Sequence, residues 1–137
     1  MVQALAALGA SLGALPGARA VVWHTARSWC SPGHFSETVL RWIDCGAFPA
    51  FSLAAVVPMP DGGMRSEGMA LFAGQELRIE PELAEDRAAS ARLWMRLLHW
   101  LYEHGRLSGP EVLRGPDGEK LRLEPSPNGR FVRVWKA

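Results

Sequence analysis

The sequence has 137 residues, of which 48% are apolar, and its 15 Lys and Arg residues against 14 Asp and Glu residues give a net charge of +1 at pH 7. A chain of this length buries roughly two-thirds of its unfolded surface, which is enough for the core of one domain. The near-neutral charge excludes the concentrated basic surface that nucleic acid or an anionic membrane requires, so we expect neither as a partner.

Residues 1–17 predict a helix and neither a secretory signal nor a membrane span. Six apolar residues fall near helical spacing, and the pair Pro16-Gly17 ends the pattern: Val2, Leu5, Ala6, Leu8, Leu12 and Leu15. No Lys or Arg precedes Arg19, whereas a secretory signal carries a positive charge before its apolar core. The segment is also too short to cross a bilayer. We therefore expect a cytoplasmic protein.

Residues 19–46 predict a strand followed by a helix. Arg19–Thr25 is mostly apolar and indicates a short buried strand. Ser31 and Pro32 suit the N-cap and the first position of a helix, where the missing N–H of proline is harmless. One apolar stripe follows at helical spacing: Phe35, Val39, Trp42 and Ile43. Gly46 is expected to close this helix in a left-handed conformation.

Residues 49–80 predict the centre of a sheet. The apolar run Phe51–Val57 indicates a strand, and a turn rich in proline and glycine follows at residues 58–63. Met69–Phe72 indicates a second strand. The alternating Glu76–Glu80 indicates a third, with one face towards the core.

The remaining residues predict a long helix and a small meander. Pro81 and three nearby acids open the helix and Gly105 ends it. Its expected apolar face consists of Ala91, Trp94, Met95, Leu98, Leu101 and Tyr102. Two turns then separate Val112–Arg114, Lys120–Glu124 and Phe131–Trp135, which indicates three short strands.

This order of elements predicts an α+β fold in which a mainly antiparallel sheet packs against two or three helices as a two-layer sandwich. We expect a single domain over residues 1–137. The helix between Cys30 and Cys45 would hold them roughly 20 Å apart, so we expect no disulfide between them. Both thiols are expected to stay reduced, as in the cytoplasm, and to pack as small apolar side chains.

Residues 66–79, SEGMALFAGQELRI, followed by a long helix and a terminal hairpin, resemble the bacterial domain of unknown function 4261 family. The pattern of that family here is Gly-x-x-x-Phe-Gly-x-x-Glu-[Leu/Ile], and Ala73 replaces one of its glycines. Residues 17–23, GARAVVW, resemble the strand that follows the first helix of the family. The resemblance implies a bacterial source and the fold, with the first strand of the family missing. It implies no activity and no catalytic residue.

A thiol and two imidazoles are the most chemically suggestive group in the sequence. Cys30 precedes a helix whose N-terminus would lower the pKa of a thiol, and His24 and His34 lie nearby in the chain. A small thiol-dependent hydrolase that uses Cys30 with His24 or His34 is therefore the alternative hypothesis. No Asn or Asp that would orient an imidazole lies close to these residues in the sequence.

Two other groups of side chains give weaker indications of a functional site. His24, Cys30, His34 and Cys45 together fit no recurring zinc spacing, so we expect no metal and no cofactor. Glu67 and Glu76 could form a pair of carboxylates for acid–base chemistry, although a glutamate on an alternating strand usually faces water.

Six tryptophans are the most unusual feature of the composition. Trp42 and Trp94 fall on helix faces assigned to the core. Trp29, Trp100 and Trp135 are the candidate binding residues, because tryptophan is enriched at the centres of protein interfaces. The sequence therefore favours a non-enzymatic bacterial interaction protein of the accessory or immunity type. Its partner is another protein or a second copy of the chain, which could also pair through an unpaired sheet edge.

Overall fold

The computed structural model describes residues 1–137, and the chain divides into two units, Met1–Ala55 and Val56–Ala137. The elements up to residue 53 are α1 (Val2–Gly13), β1 (Val21–Trp23), β2 (Ser28–Cys30), α2 (Pro32–Ile43) and α3 (Ala50–Leu53). The rest are β3 (Ala55–Pro58), β4 (Met64–Glu67), α4 (Ala70–Ala73), β5 (Glu76–Ile79), α5 (Pro81–Ala84), α6 (Arg87–His104), β6 (Glu111–Arg114), β7 (Lys120–Pro125) and β8 (Phe131–Lys136). The fold is α+β, as predicted.

Helix α1 packs on α2 through small residues. Ala6 and Ala10 are buried, and a Cβ added at Gly9 would lie 3.3 Å from the ring of Phe35. A Cβ at Gly13 would lie 2.9 Å from Val21. Small side chains let two helix backbones approach closely, so this face of α1 is the one that turns inward. The leucines predicted by the same helical pattern lie on another face.

The ribbon of β1 and β2 lies against the same helices. The two strands are antiparallel, with Val21 opposite Cys30 and Val22 opposite Trp29. Trp23 is buried, and its ring centroid lies 6.2 Å from that of Phe35 on α2. Because side chains alternate along a strand, Val22 and Trp29 occupy the outer face of the ribbon. The predicted strand over residues 19–25 is thus confirmed in its centre, and a 3-10 turn at His24–Ala26 follows it.

Helix α2 starts as predicted and ends differently. The Ser31 hydroxyl accepts a hydrogen bond from the His34 N–H at 3.3 Å, and Pro32 is the first helical residue. At the other end Cys45, and not Gly46, adopts the left-handed conformation, with φ of 62°. Gly46 donates its N–H to the Arg41 carbonyl at 2.8 Å. This bond makes the end of α2 a Schellman motif with cysteine at the position that glycine usually occupies.

The prediction of strands over two apolar runs was wrong in part. Phe51–Leu53 belongs to the short helix α3, and β3 begins only at Ala55. Met69–Phe72 is helical, with Met69 as the N-cap of α4. The second strand of this region lies earlier in the chain, as β4 over Met64–Glu67. Periodicity does not separate a buried strand from a short buried helix when the apolar run has only four to seven residues.

A six-stranded sheet runs in the order β3-β4-β5-β8-β7-β6. The terminal meander is antiparallel as predicted, with β8 paired to β7 and β7 to β6. On its other side β8 pairs in parallel with β5, in register from Glu76 opposite Phe131 to Ile79 opposite Val134. The C-terminal strand therefore lies in the interior of the sheet, and β3 and β6 are its edges.

The core of Val56–Ala137 combines one face of this sheet with α6. Sheet residues on that face are fully buried: Leu77, Ile79, Leu121, Leu123, Val132 and Val134. The predicted long helix is divided into α5 and α6, with Asp86 as the N-cap of α6. Trp94, Leu98 and Leu101 are buried as expected, but Leu93 and Leu97 replace Ala91 and Met95 on the buried face. Gly105 ends α6, with φ of 77°.

None of the helices combines the length and the hydrophobicity that a membrane-crossing segment needs.

Candidate interaction surface

The outer face of α1 and the turn that follows it expose a row of leucines. Leu5, Leu8, Leu12 and Leu15 are between 54% and 58% exposed, and Met1 is fully exposed. Scattered surface leucines are normal in folded proteins, but three in one row on α1, with Leu15 following in the next turn, form an apolar strip. Such strips mark sites where a protein contacts another surface.

Counted from Met1, the spacing of this row is 4-3-4-3. The average of 3.5 residues is close to one helical turn, so these side chains lie along one side of the segment. The first charged side chain in the sequence is Arg19, so the whole of α1 is free of charged side chains. We call Met1, Leu5, Leu8, Leu12 and Leu15 the leucine seam.

Trp29 is the one predicted binding residue that is fully surface-exposed. Its side chain is 75% exposed and lies opposite Val22, which is 68% exposed, on the outer face of the β1–β2 ribbon. A cross-strand pair of this kind normally packs against something, because both members are large and apolar. The first unit therefore has a second exposed apolar feature besides the leucine seam.

Trp100 and Trp135, which belong to the second unit, are each half-buried against a neighbour of their own. The Trp100 ring stacks on the His104 ring with centroids 4.7 Å apart, and the His104 Nε2 lies 2.9 Å from a Glu111 carboxylate oxygen. The guanidinium of Arg133 lies 5.2 Å from the centre of the Trp135 ring. The two tryptophans predicted for the core, Trp42 and Trp94, are buried as expected.

The thiol at Cys30 is not activated. Burial raises the pKa of the Cys30 thiol, and no neighbouring charge or hydrogen bond opposes this effect. His24 and His34 are both exposed, and neither donates or accepts a hydrogen bond with the thiol. The expectation that the α2 N-terminus lowers this pKa was therefore wrong: Cys30 ends β2 as the partner of Val21, with its thiol half-buried.

Cys45 lies at the other end of α2. Both cysteines are free, and Cys45 is exposed, which contradicts the expectation that both thiols are packed. No group of three or more His, Cys, Asp or Glu side chains in the structure is arranged to hold a metal ion. The helix separates Cys30 and His34 from Cys45, as the sequence indicated.

Glu67 and Glu76 have structural partners. Glu67 accepts a hydrogen bond from Arg65 at 2.8 Å. The Glu76 carboxylate accepts four hydrogen bonds, from the Ser66 hydroxyl at 2.5 Å and from the backbone N–H groups at Gly68, Met69 and Ala70. It therefore satisfies the first N–H groups of α4 and leaves no free oxygen lone pair directed at a substrate.

A cavity of about 420 Å³ lies on the other face of the sheet in the second unit. Its walls are Met59, Arg78, Ser126, Pro127, Asn128, Phe131 and Arg133. Both guanidinium groups are already paired: Arg133 binds Glu80 at 2.7 Å, and Arg78 binds Asp61. A hydrogen bond from the Gly63 N–H, with the Arg78 charge, keeps the pKa of Asp61 below its usual value. Because each cation has an anion, the cavity has no excess charge for a ligand.

The fold and these surfaces define an α+β protein with an exposed apolar helix. No protein-family model, curated protein or solved structure matches the chain.

The leucine seam was missed at the level of the sequence, although the signal for it is present. The same helical pattern contains the leucines and a set of small residues, Ala6, Gly9, Ala10 and Gly13. A helix with a small-residue face and a large-residue face can pack either one inward. The 3-4-3 spacing of the four leucines was the available indication that they form a row of their own.

Proposed function

We propose that this chain is a non-catalytic interaction module of the bacterial cytoplasm, of the accessory or immunity type, and that it binds another protein surface through α1. The observation that carries this proposal is the leucine seam, in which four leucines are each more than half exposed on an uncharged segment. Leaving such a row in water is unfavourable, and covering it with a protein partner removes that cost.

Trp29 and Val22 provide a second anchor in the same unit. Tryptophan is the residue type most enriched among those that dominate binding energy, and Trp29 is the one exposed tryptophan of the six. Trp100 and Trp135 are weaker candidates, since each already has a stacking neighbour. The thiol-hydrolase alternative lacks support, because burial raises the pKa of the Cys30 thiol and no base contacts it.

The proposal is tested by cross-linking and affinity capture with the full chain as bait in bacterial cells. We compare the wild type with the double variant Leu5→Gln, Leu12→Gln and with the control Val112→Gln, which removes an even more exposed apolar side chain from the other unit. We expect the captured proteins, second copies of the chain included, to fall at least tenfold for the double variant and to persist for the control. Equal capture by all three baits would refute a role for α1.

A further inference from the structure

We infer that Asn128 is a site of spontaneous deamidation and that the turn between β7 and β8 controls its rate. Asn128 is the only asparagine in the chain, and Gly129 follows it directly. The pair lies in the turn, with the Asn128 side chain exposed to solvent. Asparagine is among the chemically labile residues of proteins. The inference concerns the second unit, so it does not depend on the proposed function of α1.

The reaction uses only the chain and water. The backbone nitrogen of Gly129 attacks the side-chain carbonyl carbon of Asn128, and a C–N bond forms while the bond from that carbon to Nδ2 breaks. Nδ2 leaves as ammonia and takes the proton that the Gly129 nitrogen gives up. Water then opens the resulting succinimide ring at one of its carbonyl carbons. Opening on one side gives aspartate, and opening on the other gives isoaspartate, in which the main chain runs through the former side chain.

Glycine at position 129 favours this attack, because it has no Cβ to obstruct the nitrogen. The fold also requires this glycine. Its φ is 66°, and an added Cβ would lie 2.7 Å from a guanidinium nitrogen of Arg106. The same nitrogen donates to the Gly129 carbonyl at 3.1 Å, so Arg106 would lose this bond if it moved away. The turn therefore retains the reactive pair for a structural reason.

The folded turn holds both reacting groups in hydrogen bonds. The Gly129 N–H donates to the Ser126 carbonyl at 2.8 Å. The Asn128 Oδ1 accepts from the Ser126 hydroxyl at 2.7 Å and from the Arg130 N–H at 3.1 Å. The attack takes the proton that the Gly129 N–H donates here and rearranges the carbon that carries Oδ1, so it competes with these bonds. Deamidation of the folded protein therefore proceeds from the opened turn, and its rate follows the population of that open form.

The two products differ in what they do to the fold. Aspartate keeps an oxygen in the place of Oδ1, so the turn can form again. Isoaspartate lengthens the main chain before Gly129 and displaces its carbonyl, which accepts from Arg106 and from Gln75 at 3.2 Å. Because Gln75 is buried, the loss of this partner is costly. We expect the aspartate form to melt like the variant Asn128→Asp, and the isoaspartate form to melt at a lower temperature.

The test follows the full chain at neutral pH and uses peptide mass spectrometry to detect conversion of the amide at residue 128 to an acid. Ser126→Ala removes a hydroxyl that donates to Asn128 and accepts the Phe131 N–H at 3.0 Å. The loss of two hydrogen bonds should raise the population of the open turn about tenfold. We therefore expect deamidation about tenfold faster than in the wild type, and faster still for the wild type unfolded in guanidinium chloride.

Controls separate opening of the turn from a general loss of structure. Ser126→Thr keeps the hydroxyl, and Ser11→Ala removes an exposed hydroxyl from the other unit, so both should deamidate like the wild type. Circular dichroism checks that each variant is folded. Arg106→Ala removes a donor to the Gly129 carbonyl and provides a second way to loosen the turn, with the same expected acceleration.

Two results overturn the inference. If the unfolded chain forms neither aspartate nor isoaspartate at residue 128, the pair is not a deamidation site. If Ser126→Ala and Arg106→Ala both deamidate at the rate of the folded wild type, the turn does not control the reaction.

Discussion

At the scale of single residues, the end of α2 contains one of the two non-glycine residues with a positive φ, the other being Arg27. Cys45 has φ of 62°, a conformation that a residue with a Cβ adopts at a cost, whereas glycine adopts it freely. Gly46 next to it has no such requirement. It is constrained because a Cβ there would overlap the carbonyl oxygen of Arg41. Position 46 therefore needs glycine because there is no space for a Cβ, whereas position 45 would favour glycine because of its backbone conformation.

Substitutions at these two positions should change stability in opposite directions. We expect Cys45→Gly to raise the free energy of unfolding by about 0.5–1 kcal/mol and Gly46→Ala to lower it by about 1–3 kcal/mol. Gly33→Ala is the comparison for an unobstructed glycine in the same helix, since nothing lies within 4 Å of its added Cβ, and it should raise stability by up to about 1 kcal/mol. Urea unfolding measures all three, and a destabilised Cys45→Gly would contradict the account.

The two thiols should differ in reactivity. Burial raises the pKa of the Cys30 thiol, so less of it is thiolate at neutral pH, and Cys45 is exposed. We expect iodoacetamide to modify Cys45 several-fold faster than Cys30 at pH 7, as followed by mass spectrometry, with the rate at Cys30 still rising above pH 9. Faster modification of Cys30 at pH 6 would revive the hypothesis of a thiol enzyme.

At the scale of elements, the start of α6 depends on one carboxylate. The Asp86 side chain accepts hydrogen bonds from the Ala88 N–H at 2.8 Å and the Ala89 N–H at 3.0 Å. The bond from Ala89, followed by that from Ala88, lowers the pKa of Asp86. A group whose pKa is lower in the folded state stabilises the protein above its unfolded pKa and loses that effect as the pH falls through the folded value.

We therefore expect the Asp86 cap to contribute to stability at neutral pH and to fade in acid, below about pH 4. Asp86→Ala should lower the melting temperature at pH 7, and the difference from the wild type should shrink as the pH falls to about 3. Asp86→Asn retains the capping oxygen without the titration, so it should be less destabilising at pH 7. A difference that is constant from about pH 7 to about pH 3 would show that the charge has no role.

Three segments of the second unit are held together by one buried amide. The Gln75 side chain is 1% exposed, donates to the Leu107 carbonyl at 3.1 Å and the Gly129 carbonyl at 3.2 Å, and accepts from the Leu107 N–H at 2.8 Å. It joins the start of β5 to the segment after α6 and to the β7–β8 turn. Removing it leaves buried backbone groups without partners.

We expect Gln75→Ala to lower the free energy of unfolding by about 2–4 kcal/mol, mostly through the unsatisfied Leu107 groups. The exposed Gln3 provides the control, because Gln3→Ala should change stability by less than about 0.5 kcal/mol. Urea unfolding of the two variants compares them directly. Similar effects at both positions would mean that the Gln75 bonds contribute little.

At the scale of the whole molecule, charge is balanced in both units. Met1–Ala55 has three arginines and two acids, and Val56–Ala137 has twelve Lys and Arg residues and twelve Asp and Glu residues. Many arginines of the second unit are paired across short distances, among them Arg65 with Glu67 and Arg92 with Asp117. A binding surface for a polyanion would need unpaired cations on one face.

We accordingly expect no binding of single-stranded or duplex DNA tighter than about 100 µM at physiological salt, measured by fluorescence anisotropy. The double variant Glu67→Gln, Glu80→Gln frees arginines on the sheet and should show measurable, salt-sensitive binding. Tight binding by the wild type would contradict the absence of a basic surface.

The sequence by itself determined the elements whose signals are local. The cap at Ser31, the stop at Gly105 and the alternation in β5, β7 and β8 depend on hydrogen bonds and side-chain positions within a few residues, so they can be predicted without knowing the fold. The α+β class followed from their order. The balanced charge and the separation of the thiols were also visible at this level.

Only the tertiary structure decided the rest, because the deciding partners are distant in the chain. Residues 69–73 form a helix where Glu76 satisfies its first N–H groups, and β8 pairs with β5 across more than fifty residues. The face that α1 turns inward was set by the space beside Phe35 and Val21, which Gly9 and Gly13 fit and a leucine would not. That choice placed the leucines outside, and with them the surface on which the proposed function depends.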